Sequence, residues 1–355
     1  MLGTEAYLGQ DAAAKLSSAR SGGAPAFRGI SLGLLLLILS ASGQAAALKK
    51  RTVPVQPASK SAARQVSDRP SRQAPDQPKA FDIYMEGLYE YDSNVLQLPE
   101  TDDSAQTGRS DASFNAIFFG EYRPAALTGS HLRVLGLYQD YKKLNALDLG
   151  GAVAGLQQDL EVFGSQLRLR YDAQHFFLDR KSYLWTHSPA IEADLWSEQF
   201  WKFTAAYRLD VKRFVSRQQR GFDGRHHDVS LTLAREDEGF LTRFKAQAAA
   251  LREDVRDSAS RHSGLRGSGE LGLTFPGAVE LALKPEVEER WYGQRGSELQ
   301  PYRREIMQKY TAALSRFCWE HVTVEASYSR IFNQSTISRY AYRKWVGGGA
   351  VSVVF

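Results

Sequence analysis

The sequence predicts an all-β fold: a single transmembrane antiparallel up-and-down β-barrel of about fourteen strands, preceded by an export signal and a disordered tether. Three observations predict it. From residue 80 onward, apolar and polar side chains alternate with a period of two rather than 3.6. The alternating segments are 12–15 residues long. A tilted strand needs only ~9–11 to cross hydrocarbon, and ordinary soluble strands average ~5–6. Their number is even, as in bacterial barrels that return both termini to one side.

The chain has 355 residues, 11% aromatics, 29 glycines and one cysteine. Aromatic and β-branched side chains suit pleated surfaces. The lone Cys318 excludes an intrachain disulfide framework. Net charge is +5, unevenly spread. Residues 49–79 hold eight Lys/Arg against two Asp, which leaves 80–355 slightly acidic. The basic character therefore belongs to a linker, and a nucleic-acid partner is not expected.

The organisation runs in three parts. Residues 1–47 read as a signal peptide region: Arg28, an apolar run from Ile30 to Leu39, then Ala41, Ser42, Gly43, Ala45, Ala46 and Ala47. The run is too short to span a bilayer and fits a cleaved export signal. Residues 48–79 carry Pro54, Pro57, Pro70, Pro75 and Pro78 among Ser, Gln and cationic residues. Such a segment cannot bury enough apolar area to order itself, and reads as a periplasmic linker. Residues 80–355 are the barrel.

The fourteen segments are 80–91, 111–123, 130–142, 147–161, 165–178, 182–195, 200–214, 224–235, 239–252, 264–275, 278–292, 302–316, 320–332 and 341–355. In the first, Phe81, Ile83, Met85, Tyr89 and Tyr91 oppose Asp82, Tyr84, Glu86 and Glu90. In 165–178, Leu167, Leu169, Tyr171, Ala173 and Phe177 oppose Arg168, Arg170, Asp172 and Gln174. In 201–212, Trp201, Phe203, Ala205, Tyr207, Leu209 and Val211 face one way. Segment 111–123 is apolar on both parities at Ile117, Phe118 and Phe119, so alternation does not fix its facing. Pro189 and Pro285 fall inside segments, remove a ladder donor each, and predict a bulge or break.

Connections alternate in length. Six are short: "PAALTG", "EVFGS", "LWSEQF", "EDEGF", "FPGA" and "RFCWE". Those between them include the longer 92–110, 215–223, 253–263, 293–301 and 333–340. Short periplasmic turns and longer outside loops are the barrel pattern, so both termini are expected in the periplasm. Aromatic girdles are expected at both interfaces: Trp201, Phe275, Trp319 and Phe355 on one side, Tyr89, Tyr91, Trp185, Trp291 and Trp345 on the other.

The ending "WVGGGAVSVVF" resembles the C-terminal signal of bacterial outer-membrane β-barrel proteins, carried by Trp345, Val351, Val353 and Phe355. That resemblance implies an outer-membrane address and recognition by the barrel-assembly machinery. The string "YDSNV", Tyr91 to Val95, is similar to the start of β-barrel porin families and of the barrel region of surface lipoprotein assembly modifiers. The helical-repeat domain of the latter is not found here. Asp92, Ser93 and Asn94 themselves read as strand termination, because Asx and Ser side chains bond their own backbone.

The expected inner face is dense in charge of both signs. Its pore-lining candidates are Arg168, Arg170, Asp172, Lys202, Arg208, Asp210, Arg243, Lys245, Arg266, Glu270, Glu286 and Glu288. Fourteen strands enclose more than side chains alone fill at eight. The expected function is a porin-like passive channel for small polar solutes. A secretion or surface-assembly barrel and a closed structural barrel are the alternatives. No catalytic, metal or cofactor site is expected: His226 and His227 are adjacent on a strand and so face opposite ways, His187-Ser188 precedes Pro189 with no acid beside it, and His321 is expected on the inner face as a solvated rather than a catalytic residue. Outer-membrane lipids are the expected surroundings.

Overall fold

The computed structural model describes residues 80–97, 110–198, 200–237, 240–295, 302–319 and 321–355. The export signal 1–47 and the tether 48–79 lie outside the described residues. The strands are β1 (Phe81–Asp92), β2 (Asp111–Tyr122), β3 (Ser130–Tyr141), β4 (Leu149–Val162), β5 (Ser165–Leu178), β6 (Lys181–Glu198) and β7 (Trp201–Phe214). They continue as β8 (Gly224–Glu236), β9 (Leu241–Val255), β10 (His262–Phe275), β11 (Val279–Arg295), β12 (Tyr302–Trp319), β13 (Val322–Ser335) and β14 (Tyr342–Val354). Each pairs antiparallel with its sequence neighbours, and β1 pairs with β14, closing the barrel. All fourteen expected segments are strands, with ends within a few residues of those the alternation marks.

The register sets the facing. Phe118 pairs with Met85, which pairs with Val353. Directly opposed residues share a face. Phe118 therefore joins the outward row, and Ile117 and Phe119 point inward. Around the barrel the outward row exposes Phe114, Val134, Leu156, Leu169, Ile191, Val229, Leu265, Val287, Leu314 and Val324. In water this belt would be a large unburied apolar surface. Against acyl chains it is the lipid contact.

Both aromatic groups fall on outward positions at the expected ends. At the long-loop end, Trp345 packs on Tyr91 and Tyr328, with ring centroids 5.1 and 6.2 Å away. At the short-turn end, Phe240 meets Phe275 edge-on at 5.5 Å, and the Arg235 guanidinium lies over Trp201 at 5.7 Å.

Turn chemistry keeps the connections tight. Phe163 and Gly164 join β4 to β5 with φ of 52° and 77°. A two-residue turn with both φ positive matches the twist of the strands it joins. Asp179 and Arg180, at 49° and 60°, do the same between β5 and β6.

The prolines do not break their strands. His187 pairs with Val211 and Ala190 with Arg208, so the register is the same on both sides of Pro189. The pairs Ser268–Glu286 and Leu271–Leu283 show the same across Pro285. Both rings occupy outward positions, and the ladder omits pairs there without shifting. Register shifts occur instead at Phe176/Phe177, Asp194/Trp196, Gly272/Leu273, Trp291/Arg295 and Phe317/Trp319.

The β1–β14 seam is extended beyond both strand ends. The Phe355 N–H donates to the Ile83 carbonyl at 2.9 Å. At the other end, Ser93 N–H donates to the Trp345 carbonyl (3.0 Å), and Trp345 N–H donates to Ser93 Oγ (2.8 Å). Lys344, 2% exposed, reaches Asp92 Oδ2 at 2.8 Å. Asp92 Oδ1 accepts from Asn94 N–H at 2.8 Å, turning the chain off the strand. Each residue of Asp92-Ser93-Asn94 thus has a part: a cross-seam ion pair, a continued ladder, and a turn. Removing one partner of a buried pair strands the other charge. Lys344→Met is expected to lower unfolding free energy by about 3–5 kcal/mol, read from urea titration of the heat-modifiable band in liposomes. Arg343→Met, on the outward parity, is expected to cost less than about 0.5 kcal/mol.

Candidate functional site: the barrel interior

Even-numbered positions of β1, β5, β7, β10 and β11, and odd-numbered ones of β3, β9 and β12, form the inward face. Strand pairing carries this parity from one strand to the next: Glu121 opposes Arg133, Gly155 opposes Asp172, and Arg208 opposes Asp228. All twelve candidate residues, Arg168, Arg170, Asp172, Lys202, Arg208, Asp210, Arg243, Lys245, Arg266, Glu270, Glu286 and Glu288, fall on it.

The charges meet along the wall. Arg168 contacts Glu192 (2.6 Å) and Asp194, and Asp194 also takes Lys202 at 2.9 Å. Arg170 Nε donates to Asp172 at 2.6 Å, and Arg208 Nε donates to Asp210 at 2.8 Å. Arg243 pairs with Glu270 at 2.8 Å. Arg290 holds Glu288 at 2.6 Å. Other pairs skip a strand: Arg133 on β3 to Asp172 on β5 (3.3 Å), Arg266 on β10 to Asp228 on β8 (2.7 Å), Lys212 on β7 to Glu253 on β9 (3.0 Å). These pairs lie within one strand or join strands that are adjacent or one removed. They run around the wall rather than across the lumen.

Small residues on the strand between make such skips feasible. Gly155 lies between Arg133 and Asp172, and a Cβ there would run into Asp172 Oδ1. Gly272 lies under the reach of Arg243 to Glu280, with Arg243 Cβ at 3.0 Å and Glu280 Oε1 at 3.2 Å from its own would-be Cβ.

Two candidates stand apart. Lys245 is exposed although it points inward, and Glu286 is half-buried. Neither makes an ion pair with a described residue. Glu286 lies at the middle of β11, and Lys245 lies nearer the short-turn end of β9.

The long-loop mouth is different. After Asn94 the chain turns inside, and Val95 is 0% exposed. Val95 and Leu96 pack into an apolar cluster with Leu137, Leu144, Phe176, Leu184 and Phe214. This cluster fills the mouth along β3 to β7. The facing arc is polar: Glu253 accepts from Lys212 and bonds His226 Nδ1 at 2.7 Å, while Glu305 takes Arg303 (2.7 Å) and Tyr292 OH (3.2 Å). Arg303 lies over the rings of Tyr292 and Tyr340 at 3.9 and 3.6 Å. Outside the spanning strands, Asp148 accepts from Tyr141 N–H at 2.9 Å, and burial raises its carboxyl above the ordinary value.

Sequence reading missed the inward turn of Val95–Leu96. A signal was present, because alternation fails at Phe176-Phe177-Leu178 and Tyr183-Leu184-Trp185, next to the long loops. The adjacent histidines diverge: His226 faces Glu253 inside, while His227 bonds Tyr207 OH outside at 2.9 Å. His321 stands at the short-turn rim, stacked on Phe355 at 6.3 Å, not within the lumen. Of the terminal residues, Trp345, Val351 and Val353 face outward, and Phe355 is 53% exposed at the end of the seam. Among the described residues, no group of three His, Cys, Asp or Glu is placed to hold a metal ion.

No protein-family model matches the chain. No curated protein matches it either. Solved structures similar to it are outer-membrane barrels. A bacterial polysaccharide outer membrane secretin is 9% identical with TM-score 0.46, over 77% of this chain and 98% of that one. The Acinetobacter baumannii outer membrane protein Omp33 is 11% identical with TM-score 0.40, over 78% and 98%. An anion-selective porin from Comamonas acidovorans is 8% identical with TM-score 0.39, over 78% and 98%. The architecture itself rests on the strand pairing and closure described above: the chain has the fold of an outer-membrane β-barrel protein.

Gly155→Leu is expected to part Arg133 from Asp172 and cost about 1–3 kcal/mol. Gly150→Ala, whose Cβ would meet Phe177 at an ordinary 3.9 Å on the outward parity, is expected to be near neutral. Unfolding in urea, followed by the heat-modifiable band, compares the two.

Proposed function

We propose that this chain is a porin-like passive channel for small polar solutes in the bacterial outer membrane. Its short turns and C-terminus would lie in the periplasm. One observation supports the reading most: interior charges pair along the wall, and inward Lys245 stays exposed within the spanning part of β9. A wall of opposed charges around water sets a field along which small ions and polar molecules pass. Side chains that bridged the lumen would instead seal it.

The apolar cluster around Val95 narrows the mouth on one side, with the charged arc of Glu253, Arg290 and Glu305 facing it. Passage on this reading runs along the charged arc and admits small solutes only. Trp345, Val351, Val353 and Phe355 complete the reading as the strand that the assembly machinery would engage.

Purified protein in planar bilayers is expected to give discrete, ohmic conductance steps. Val95→Gly combined with Leu96→Gly is expected to enlarge them, with heat-modifiable mobility confirming that the barrel still closes. Lys245→Glu is expected to shift reversal potential toward cation preference. A silent wild-type barrel, or variants that leave both conductance and selectivity unchanged, would count against the channel and toward a closed or secretory barrel.

A further inference from the structure

An open cavity of about 860 Å³ lies at the long-loop end of β7, β8 and β9. Arg213, Arg220, Arg225, Arg256 and Arg261 line it, against only Asp223 and Asp254. All five arginines are exposed. Both aspartates are already committed. Asp254 takes two bonds from Arg252, at 2.8 and 3.2 Å. Asp223 accepts from Phe214 N–H at 2.7 Å and lies 3.6 Å from Arg256. Arg261 donates from Nε to the Val255 carbonyl at 2.7 Å. That leaves Arg213, Arg220 and Arg225 without a carboxylate partner among the described residues.

Position says what chemistry would fill the gap. Arg213 and Arg225 occupy outward strand positions. Below them on the same face come Val211 and Leu209 on β7, and His227, then Val229 and Leu231, on β8. Arg213 is paired across with Trp185, an exposed aromatic of the interfacial girdle. Guanidinium groups at headgroup level, above an apolar wall, fit an anion that carries acyl chains. Guanidinium also matches phosphate geometry in a bidentate way, which ammonium does not.

We propose that this cavity binds the phosphate of a phosphorylated lipid in the leaflet at the long-loop end, with Arg213, Arg220 and Arg225 as ligands and the acyl chains lying over Val229 and Leu231. Buried Lys212 and Phe214 form the cavity's inner side, but Arg213 and Arg225 stand on outward positions, so a lipid reaches them from the membrane face whether or not the lumen conducts.

The test uses the full chain in detergent micelles, with bis-phosphorylated lipid A, dephosphorylated lipid A and inorganic phosphate as probes, read by native mass spectrometry. Lipid A is expected to bind as a single copy. The triple variant Arg213→Gln, Arg220→Gln, Arg225→Gln is expected to weaken it at least tenfold while keeping heat-modifiable mobility. The pair Arg330→Gln, Arg343→Gln, outward cations on β13 and β14, is expected to leave binding unchanged. Equal binding of dephosphorylated lipid A, or equal loss in the β13–β14 variant, would overturn the site. Binding of inorganic phosphate as tight as that of lipid A would overturn the lipid assignment.

Discussion

A backbone N–H or C=O left unpaired in hydrocarbon costs several kcal/mol, and a fourteen-strand sheet left open would present two full edges of them. The β1–β14 ladder removes both. It is reinforced at each end by residues beyond the strands, Phe355 on Ile83 and Ser93 on Trp345. Closure in turn divides every strand into a lipid row and a lumen row, because side chains alternate. The exposed Phe118, Leu231 and Val351 and the paired Arg168, Arg266 and Glu270 are two consequences of the same ring.

The interior shows how charge is kept without filling the lumen. A cation placed inside a barrel needs a counter-charge near at hand, since desolvation otherwise opposes its ionised form. Here the counter-charge is found two residues along the same strand, on the next strand, or on the one after. Gly155 and Gly272 clear the way for the longer reaches. At the long-loop mouth the logic changes, and apolar packing of Val95 and Leu96 replaces ion pairing along β3 to β7.

Much of this was legible in the residues. A period of two sustained over 12–15 residues does not suit a helix and outlasts an ordinary soluble strand, and it located every strand and the facing of all twelve charged candidates. What escaped it depends on tertiary context. The facing of β2 needed the pairing of Phe118 with Met85, since Ile117 and Phe119 are apolar too. Pro189 and Pro285 each lack a ladder donor, which in the sequence alone points to a break. On an outward position the ring fits the apolar band, and the strand runs on in register. Asp92-Ser93-Asn94 was legible as a strand end, but not its role in the seam, whose partners Lys344 and Trp345 lie at the far end of the chain.

The central claim is that wall-lying pairs leave the lumen wet. Single substitutions Lys245→Cys and Glu286→Cys, each in a Cys318→Ser background, test it most directly. The folded protein in lipid vesicles is exposed to a charged, membrane-impermeant thiol reagent, and labelling is followed by mass spectrometry. An open lumen predicts that both cysteines are modified in the folded state, as fast as an exposed thiol allows. Labelling that appears only after unfolding would contradict it.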